Sequence, residues 1–383
     1  MAKRRPRKTV RQRKQKKDSA VAKNSYYDYA LLFIVLFLVA FGLIMVYSTS
    51  SYTGELNEGD PAFYLKRQAI FAAGGVIAML VIARIDYHFW KIFSKAMMFI
   101  ILVLLVIVLI IGTASHGATR WIKIGPVQFQ PSEVAKIVII LYTAHMATSW
   151  SARIGDWKVL ARIAMWPLVA VGLIAKENLS TGIICAAIIF MIIFVTSPKV
   201  KQFIILAIAV AGFMGIFLLL ASYRLERLKV WRHPEQYEKG YQTLQALYAI
   251  GSGGIFGKGL GQSIQKLGFI PESHNDMIFS VICEELGLFG AACVIAIFLL
   301  LIWRCVMIAI SAPDLYGALI VVGVITHIAV QVSVNIAVVT NTFPPTGVPL
   351  PFISYGGTAI FFLLVEMGLV LSVASKLRVP KEY

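Results

Sequence analysis

Long apolar runs recur along almost the whole of this chain, and they limit the folds that it can adopt. A helix needs about 20 apolar residues to cross the ~30 Å of hydrocarbon in a bilayer. The chain is 58% hydrophobic and has a mean hydropathy of +0.78, well above ordinary soluble domains. We therefore predict an all-α, polytopic membrane protein with about ten transmembrane helices. The predicted spans are residues 27–48, 67–84, 94–112, 131–149, 161–176, 179–196, 201–222, 276–303, 314–340 and 356–376.

Positive charge is concentrated ahead of the first apolar run. The formal net charge is +17, and the first 23 residues contain eleven Lys or Arg but a single acidic residue, Asp18. Residues 1–26 have no apolar periodicity, which predicts a disordered basic tail. Such a tail favours a cytoplasmic N-terminus in contact with anionic membrane lipid. No aromatic residue lies between these charges, so we expect no binding of nucleic acid.

The charges of the short loops predict the topology of the membrane domain, residues 27–376. With a cytoplasmic N-terminus, an even number of spans returns the C-terminal tail, residues 377–383, to the cytoplasm. The first loop on the opposite side carries Glu55, Glu58 and Asp60, as an outer loop should. The polar, motif-like segments then all lie at the outer face, where we expect the functional site. These segments are residues 116–136, 176–182, 223–275 and 341–357, of which 223–275 is a large outer loop.

The fifth and sixth predicted spans leave one question of architecture open. Both runs are short, and they meet at the sequence KEN of residues 176–178. One bent hairpin and two separate helices are both compatible with this pattern.

One carboxylate stands at the border between the large outer loop and the eighth apolar run. Asp276 follows Glu272 and His274 in the sequence PESHND. A carboxylate beside hydrocarbon is costly and therefore indicates function. Asp is also favoured at helix N-termini, so capping of the next helix and a chemical role are both open.

Basic residues of the outer segments are candidate ligands for an anion. The large loop carries Arg224, Arg227, Lys229 and Arg232 within nine residues. Arginine binds phosphate oxygens in a bidentate manner, but an amphipathic helix resting on lipid headgroups would show the same pattern. The glycines between residues 251 and 261 fit no phosphate-loop spacing, and a flexible loop at the membrane edge explains them as well. Further basic candidates are Arg120, Lys136, Lys258 and Lys266.

The segment before the fourth span combines a loop with a helix start. We expect Arg120 and Trp121 to lie in the loop. Pro131 followed by Ser and Glu is typical of a first helical turn. Lys136 is placed to pair with Glu133, three residues away on the same helix face.

Two other segments predict structural roles. Glu284 and Glu285 lie ~12 Å deeper than Asp276 on one helix, so we expect them to pair with basic groups inside the bundle. Residues 341–357 contain four prolines and three glycines between two spans. Irregular backbone at membrane depth is tolerated where it lines a cavity, so this segment predicts a rigid cavity wall. We interpret His327 as a satisfied core residue.

Four of these segments resemble, in order and spacing, the signature segments of the SEDS family, the bacterial shape, elongation, division and sporulation proteins. The resemblance extends from about Tyr27 to Lys376. The first span is more similar to the division branch, FtsW and its sporulation relative SpoVE, than to the elongation member RodA. The four segments read RWIKIGPVQFQPSEVAK, GYQTLQALYAIGSGGIFGKGLGQSIQK, IPESHNDMIFSVICEELGLFG and PPTGVPLPFISYGG.

The resemblance implies a ten-span peptidoglycan glycosyltransferase in the bacterial cytoplasmic membrane. Such an enzyme joins lipid II units into glycan at the outer face and releases undecaprenyl pyrophosphate. Asp276 matches the essential aspartate of the family and would act as general base. Two positions depart from the family pattern: Asn275 replaces a common Thr, and Asn178 replaces an acid. The expected substrate-binding residues are Arg120, Lys136, Arg224, Arg227, Arg232, Lys258, Lys266, His274, Pro349 and Ser354.

The resemblance also implies partners and leaves two rival functions to be tested. A class B penicillin-binding protein and other divisome proteins are the expected protein partners. Mg²⁺ or Mn²⁺ is a candidate cofactor, with Asp276 as a candidate ligand, and no organic cofactor is expected. The rivals are a lipid II flippase and a non-enzymatic scaffold for the penicillin-binding protein. The sequence shows no repeats of the kind found in many transporters, and a scaffold would not need Asp276.

Overall fold

The computed structural model describes residues 28–377, apart from residues 112, 116–117, 125–126, 198, 200, 206–207 and 209–228. The helices are α1 (Tyr29–Glu58), α2 (Phe63–Arg84), α3 (His88–Ile111), α4 (Pro131–Ser149), α5 (Trp157–Glu177), α6 (Leu179–Thr196), α7 (Tyr241–Ser252), α8 (Ile278–Ser311), α9 (Leu315–Val339) and α10 (Gly357–Ala374). The strands are β1 (Thr113–Ser115), β2 (Ala118–Ile124) and β3 (Val127–Phe129), and the short 3₁₀ helices are Ser151–Arg153, Pro234–Gln236 and Glu238–Gly240.

Several parts of the sequence interpretation lie outside the described residues. They are the basic tail of residues 1–26, most of the seventh predicted span, the C-terminal tail after residue 377, and the cations Arg224 and Arg227.

The predicted class of fold, an all-α polytopic membrane protein, is confirmed. Among the described residues, eight helices are long and apolar enough to cross a membrane: α1, α2, α3, α5, α6, α8, α9 and α10. Helices α5 and α6 are separate, since Asn178 ends the first and caps the second by accepting the N–H of Thr181 at 3.2 Å. An aspartate would make the same cap, so this departure from the family pattern preserves the local structure.

Helix α4 lies inside the bundle and is the fourth predicted span. It is not among the eight apolar helices, because it carries Glu133 and Lys136, yet almost all of its residues are buried. It packs against α3, α6 and α9, and α9 in turn contacts α8 and α10. Helix α10 lies along α2. The polar residues of α4 therefore face other helices rather than lipid.

Helices α1 and α8 are longer than a bilayer requires. They contain 30 and 34 residues, and α8 is interrupted at Gly287; a single span needs about 20. Arg304 near the end of α8 donates to the Asp28 carboxylate at the start of α1, at 3.0–3.2 Å. Glu58 and Ile278 therefore lie at the other end of the bundle. Asp276 precedes Ile278 by two residues and lies at this end, and its place at the lipid border stays a prediction.

A glycine break lets the large loop, residues 223–275, pack into α8. Gly287 has φ +68° and ψ −169°, outside the helical region. Next to it, the N–H groups of Leu288 and Phe289 donate to the carbonyls of Gly254 and Ile255, at 2.9 and 3.0 Å. The break at Gly287 leaves main-chain N–H groups of α8 without acceptors inside the helix, and carbonyl groups of the large loop accept their hydrogen bonds instead. The glycines here serve close backbone packing, which explains why they fit no phosphate-loop spacing.

Replacing Gly287 by alanine should destabilise the protein. A Cβ at this position would lie 2.4 Å from the main-chain nitrogen of Gly257, and a positive φ is unfavourable for an L-residue. We expect a loss of about 1–3 kcal/mol, measured as a lower free energy of unfolding in detergent. Gly172→Ala in α5 is the matched control, because its Cβ would meet no described atom within 4 Å. Equal stability of the two variants would contradict this account of the break.

A small antiparallel sheet, in the order β1-β2-β3, lies between α3 and α4. Arg120 and Trp121 belong to β2, so the prediction that they lie in a loop is wrong. Ile122 pairs with Phe129 of β3, and the Phe129 ring lies 6.1 Å from that of Phe362 on α10. The Phe129 side chain thus reaches the bundle from this hairpin.

Candidate active site

Asp276 lies in the turn that leads into α8, and it does not occupy the cap position of that helix. Met277 occupies that position and makes no side-chain cap hydrogen bond. The Asp276 Oδ1 atom is buried and has no hydrogen-bond partner among the described residues. Of the two roles left open by the sequence, capping is therefore removed.

Residues 341–356 form a wall against this carboxylate. A Cβ placed on Gly347 would lie 3.8 Å from Asp276 Oδ2, so the carboxylate faces the main chain there. Asn335 of α9 joins the two segments, because its Nδ2 donates to Asp276 O and Val348 O, at 2.7 and 2.8 Å. The segment predicted as a cavity wall is thus linked through Asn335 to the residue that carries the candidate base.

Three further predicted site residues lie in the same place. The Ser354 hydroxyl donates to the carbonyl of Asn275 at 2.6 Å. The main-chain N–H of the next residue, Tyr355, donates to the carbonyl of His274 at 2.8 Å. Pro349 belongs to the wall itself. The fold therefore gathers His274, Pro349 and Ser354 around the turn of Asp276.

Four buried polar atoms in these segments lack a hydrogen-bond partner within the part of the chain that the structure describes. They are His274 Nδ1, Asp276 Oδ1, Asn335 Oδ1 and Thr346 Oγ1. Buried polar atoms in proteins are nearly always hydrogen-bonded. The four atoms come from the three segments that meet at the candidate base: the Asp276 turn, α9 and the wall.

The surroundings of Asp276 tune its acidity. Burial raises the pKa of Asp276 to about 7, and the negative charge of Glu272 acts in the same direction. Hydrogen bonds from the main-chain N–H groups of Asp276 and Met277 oppose this rise in pKa. Burial also lowers the pKa of His274, so its imidazole is neutral at pH 7. A carboxyl whose pKa lies near the working pH is well suited to proton transfer.

Any reaction that uses Asp276 as a base should depend on pH. The base acts when ionised, so the rate should fall about tenfold per unit below pH ~7 and reach a plateau above it. Glu272→Gln removes a charge that raises the pKa of Asp276, and should move this acidic limb to lower pH. Initial rates measured between about pH 5 and 9 would test both statements. If the acidic limb of the pH–rate profile lies at the same pH in wild type and in Glu272→Gln, the charge of Glu272 does not raise the pKa of Asp276.

The structure gives Lys136 the partner that its spacing predicts. Its ammonium lies 2.9 Å from the Glu133 carboxylate, and both side chains are buried in α4. A buried ion pair inside a membrane bundle indicates a specific role. This pair lies in the first turn and a half of its helix, next to the β hairpin that contains Arg120.

Lys258 and Lys266 each have a glutamate partner in α8. Lys258 pairs with Glu284 and Lys266 with Glu285, both at 2.7 Å. The predicted pairing of these glutamates with basic groups is therefore confirmed. The two contacts fasten the large loop to α8, so the role that they support for both lysines is structural.

The structure describes two of the four arginines that were predicted to bind an anion, Arg120 and Arg232. Arg232 is exposed, beside Trp231, whose indole N–H donates to the carbonyl of Asn341 at 2.9 Å. Arg232 thus lies next to the start of the wall. Arg120 lies in β2. The other two, Arg224 and Arg227, lie outside the described residues.

The donor set limits how a metal ion could be held. Within the described residues, no three His, Cys, Asp or Glu side chains are close enough to hold a metal. Mg²⁺ in phosphate-processing sites is commonly held by one or two carboxylates and by substrate phosphates. A divalent cation bound at this site would have Asp276 as its candidate protein ligand and would supply positive charge for phosphate oxygens.

The sequence interpretation missed two polar residues of the site. Gln331 and Asn335 follow His327 at intervals of four residues, so all three share one face of α9. This spacing within an apolar run was the available signal. His327 is a satisfied core residue, as predicted, because its ring nitrogens contact Glu366 Oε2 at 2.7 Å and Gln331 Oε1 at 2.8 Å.

Fold and site define a class of protein: a polytopic membrane protein that holds a half-buried carboxylate against a main-chain wall at one end of its helix bundle. Residues 29–379 match the model of the FtsW, RodA and SpoVE family, described as cell cycle proteins. The chain belongs to this family, the SEDS family that its motifs resemble.

Individual relatives agree with this assignment. Stage V sporulation protein E of Bacillus subtilis is 39% identical over 354 residues, which cover 91% of this chain and 96% of that protein. A probable peptidoglycan glycosyltransferase FtsW of Trichlorobacter lovleyi is 37% identical over 362 residues, covering 92% and 94%. The crystal structure of the rod shape-determining protein RodA of Thermus thermophilus matches with a TM-score of 0.68 at 27% identity, covering 92% and 98%. A chain of a peptidoglycan synthase complex that coordinates polymerization and crosslinking matches with a TM-score of 0.75 at 26% identity, covering 91% and 97%.

Proposed function

We propose that this chain is a peptidoglycan glycosyltransferase that joins lipid II disaccharide units into glycan strands. The observation that carries the proposal is the half-buried Asp276 carboxylate, which faces the Gly347 main chain and has its pKa raised to about 7. Relatives that cover nearly the whole chain are named as probable peptidoglycan glycosyltransferases. The reaction needs a base of this kind, because a sugar hydroxyl is a poor nucleophile at neutral pH.

The chemistry assigned to Asp276 is a single proton transfer during an inverting displacement. The 4-hydroxyl oxygen of one sugar forms a bond to the anomeric carbon of another, and its proton passes to the Asp276 carboxylate. The bond from that carbon to the pyrophosphate oxygen breaks, and the electron pair leaves with undecaprenyl pyrophosphate. Attack from the opposite face converts an α-linked donor into a β-linked glycan. Pyrophosphate leaves without a proton, so the second carboxylic acid of a glycosidase is unnecessary.

The leaving pyrophosphate requires positive charge, which we assign to cations near the hairpin and the large loop. The candidates are Arg120, Lys136, Arg224, Arg227 and Arg232. Arginine and lysine stabilise phosphoryl charge most effectively where water is excluded. A Mg²⁺ or Mn²⁺ ion, held by the substrate phosphates and Asp276, would share this task.

We place the site at the outer face of the bacterial cytoplasmic membrane, with both termini in the cytoplasm. The basic tail and the acidic first loop support this orientation. We assign the chain to cell division or sporulation, because relatives named FtsW and SpoVE share its full length. A class B penicillin-binding protein is the proposed partner, together with other divisome proteins. A structural neighbour that occurs in a peptidoglycan synthase complex supports such a partnership.

The proposal is tested with purified protein in proteoliposomes that contain labelled lipid II, with and without the penicillin-binding protein and with Mg²⁺, Mn²⁺ or EDTA. Formation of glycan polymer is the expected result. Movement of lipid II between leaflets without polymer would favour a flippase. A chain that binds the partner but gives no polymer, with or without it, would favour a scaffold.

A further inference from the structure

A buried chain of polar side chains runs from the middle of α10 to the turn that carries Asp276. Its members are Glu366 on α10 and His327, Gln331 and Asn335 on α9, all at most 3% exposed. Polar groups of this kind are expensive inside a membrane bundle and are retained where they have a task. The reaction proposed for Asp276 does not use them.

The first link connects Glu366 to Gln331 through His327. Glu366 Oε2 lies 2.7 Å from His327 Nδ1, and His327 Nε2 lies 2.8 Å from Gln331 Oε1. The Gln331 amide nitrogen donates to the carbonyl of Pro349 at 2.9 Å, which leaves its oxygen to accept from His327. The imidazole must therefore carry a proton on Nε2.

This arrangement fixes the charge of the buried pair. One further proton lies between His327 Nδ1 and Glu366 Oε2. It belongs either to a neutral Glu366 carboxyl beside a neutral imidazole or to an imidazolium beside a Glu366 carboxylate. Both forms give the Glu366–His327 pair a net charge of zero, which suits a site at 1% exposure. Glu366 thereby holds the histidine ring, and the ring holds the amide of Gln331 in one orientation.

The second link reaches the candidate base. One turn beyond Gln331, Asn335 Nδ2 donates to Asp276 O and to Val348 O, at 2.7 and 2.8 Å. Gln331 fastens Pro349, the next residue of the wall. Three hydrogen bonds from one face of α9 therefore set the distance between the Asp276 turn and the wall segment opposite its carboxylate.

We propose that Asn335 is a positioning residue for Asp276, and that the Glu366–His327–Gln331 chain keeps the neighbouring wall in register with it. The inference rests on the proposed glycosyltransferase activity and extends it to residues that do not touch the reacting atoms. A displacement of a catalytic group by about 1 Å costs on the order of 100-fold in rate. Loss of Asn335 should therefore lower kcat while lipid II still binds.

The kinetic test compares variants in the lipid II polymerisation assay. Asn335→Ala should lower kcat by about 100-fold with little change in KM. Glu366→Ala should lower kcat roughly 2- to 30-fold, whereas Glu366→Gln should keep the wild-type rate, because its amide donates to Nδ1 of a neutral histidine. Thr326→Val is the matched control on α9, since this hydroxyl bonds to its own helix, at Val322 O. An unchanged kcat in Asn335→Ala would overturn the proposal, and so would equal rates for Glu366→Ala and Glu366→Gln. If Asn335→Ala does not accumulate in the membrane, the comparison of the two Glu366 variants still tests the proposal.

A second readout does not need activity. The thiol introduced by Asp276→Cys can be labelled with a water-soluble maleimide. Labelling of the native cysteines, measured on the protein that retains Asp276, is subtracted. Adding Asn335→Ala should raise the labelling rate several-fold, because the turn is no longer tied to the wall; Thr326→Val should not. Equal rates with and without Asn335 would overturn the positioning role. A wild-type protein that makes no glycan would instead refute the proposed function, and the labelling experiment would still judge the role of Asn335.

Discussion

Replacing Asp276 by asparagine is expected to lower the rate of glycan polymerisation by about 10²–10⁴-fold. The amide has nearly the same size as the carboxylate but does not take the proton of the sugar hydroxyl. The variant should still insert into the membrane, bind lipid II and bind its penicillin-binding partner, because the main-chain contacts of Asp276 with Asn335 are retained. Single-turnover rates with purified lipid II measure the effect directly.

A second carboxylate at the same end of the bundle provides the control for this prediction. Asp60 follows the end of α1 and pairs with Lys66 at 2.7 Å on the surface. Asp60→Asn changes the same functional group and the same net charge, and should leave the polymerisation rate unchanged. Wild-type rates from Asp276→Asn would refute the role of general base. The loss of activity in both variants would point to charge at this end of the bundle and not to one base.

The helices could be predicted from sequence because a bilayer demands about 20 apolar residues from each span. Helix α4 was found in this way although Glu133 and Lys136 interrupt its apolar run, since their spacing predicts the ion pair that the structure contains. The full length of α1 could not be predicted, because its last ten residues, 49–58, are mostly polar and do not continue the apolar run.

The site was predictable where its residues are close in sequence to a distinctive pattern. His274, Pro349 and Ser354 come from the two segments with the strongest motifs, and they meet around Asp276. The partners of Lys258 and Lys266 depend on a non-local contact, the insertion of the large loop at the Gly287 break. No local periodicity encodes that contact. Asn335 was missed although it follows His327 and Gln331 at intervals of four residues, because this spacing shows a shared helix face but not the segment that the face contacts.

Removing one member of the Lys266–Glu285 pair is expected to destabilise the protein strongly. The side chains are 6% and 0% exposed, and the ammonium lies 2.7 Å from Glu285 Oε1. The Ser48 hydroxyl lies 2.7–2.8 Å from both carboxylate oxygens and 3.0 Å from the ammonium, so three elements meet there. Lys266→Met leaves a carboxylate buried without its counter-ion, at a cost of about 3–5 kcal/mol. The free energy of unfolding in detergent measures this loss.

The double variant separates the cost of an orphaned charge from a general loss of packing. Lys266→Met combined with Glu285→Leu removes both charges together with their desolvation penalty, and such replacements are often neutral or stabilising. We therefore expect the double variant to recover most of the stability lost in Lys266→Met, which gives a large coupling energy in a double-mutant cycle. Additive losses would contradict this interpretation, because they would mean that the two side chains act independently. Recovered stability with recovered polymerisation would also establish that Lys266 serves to hold the large loop on α8 and does not bind the pyrophosphate.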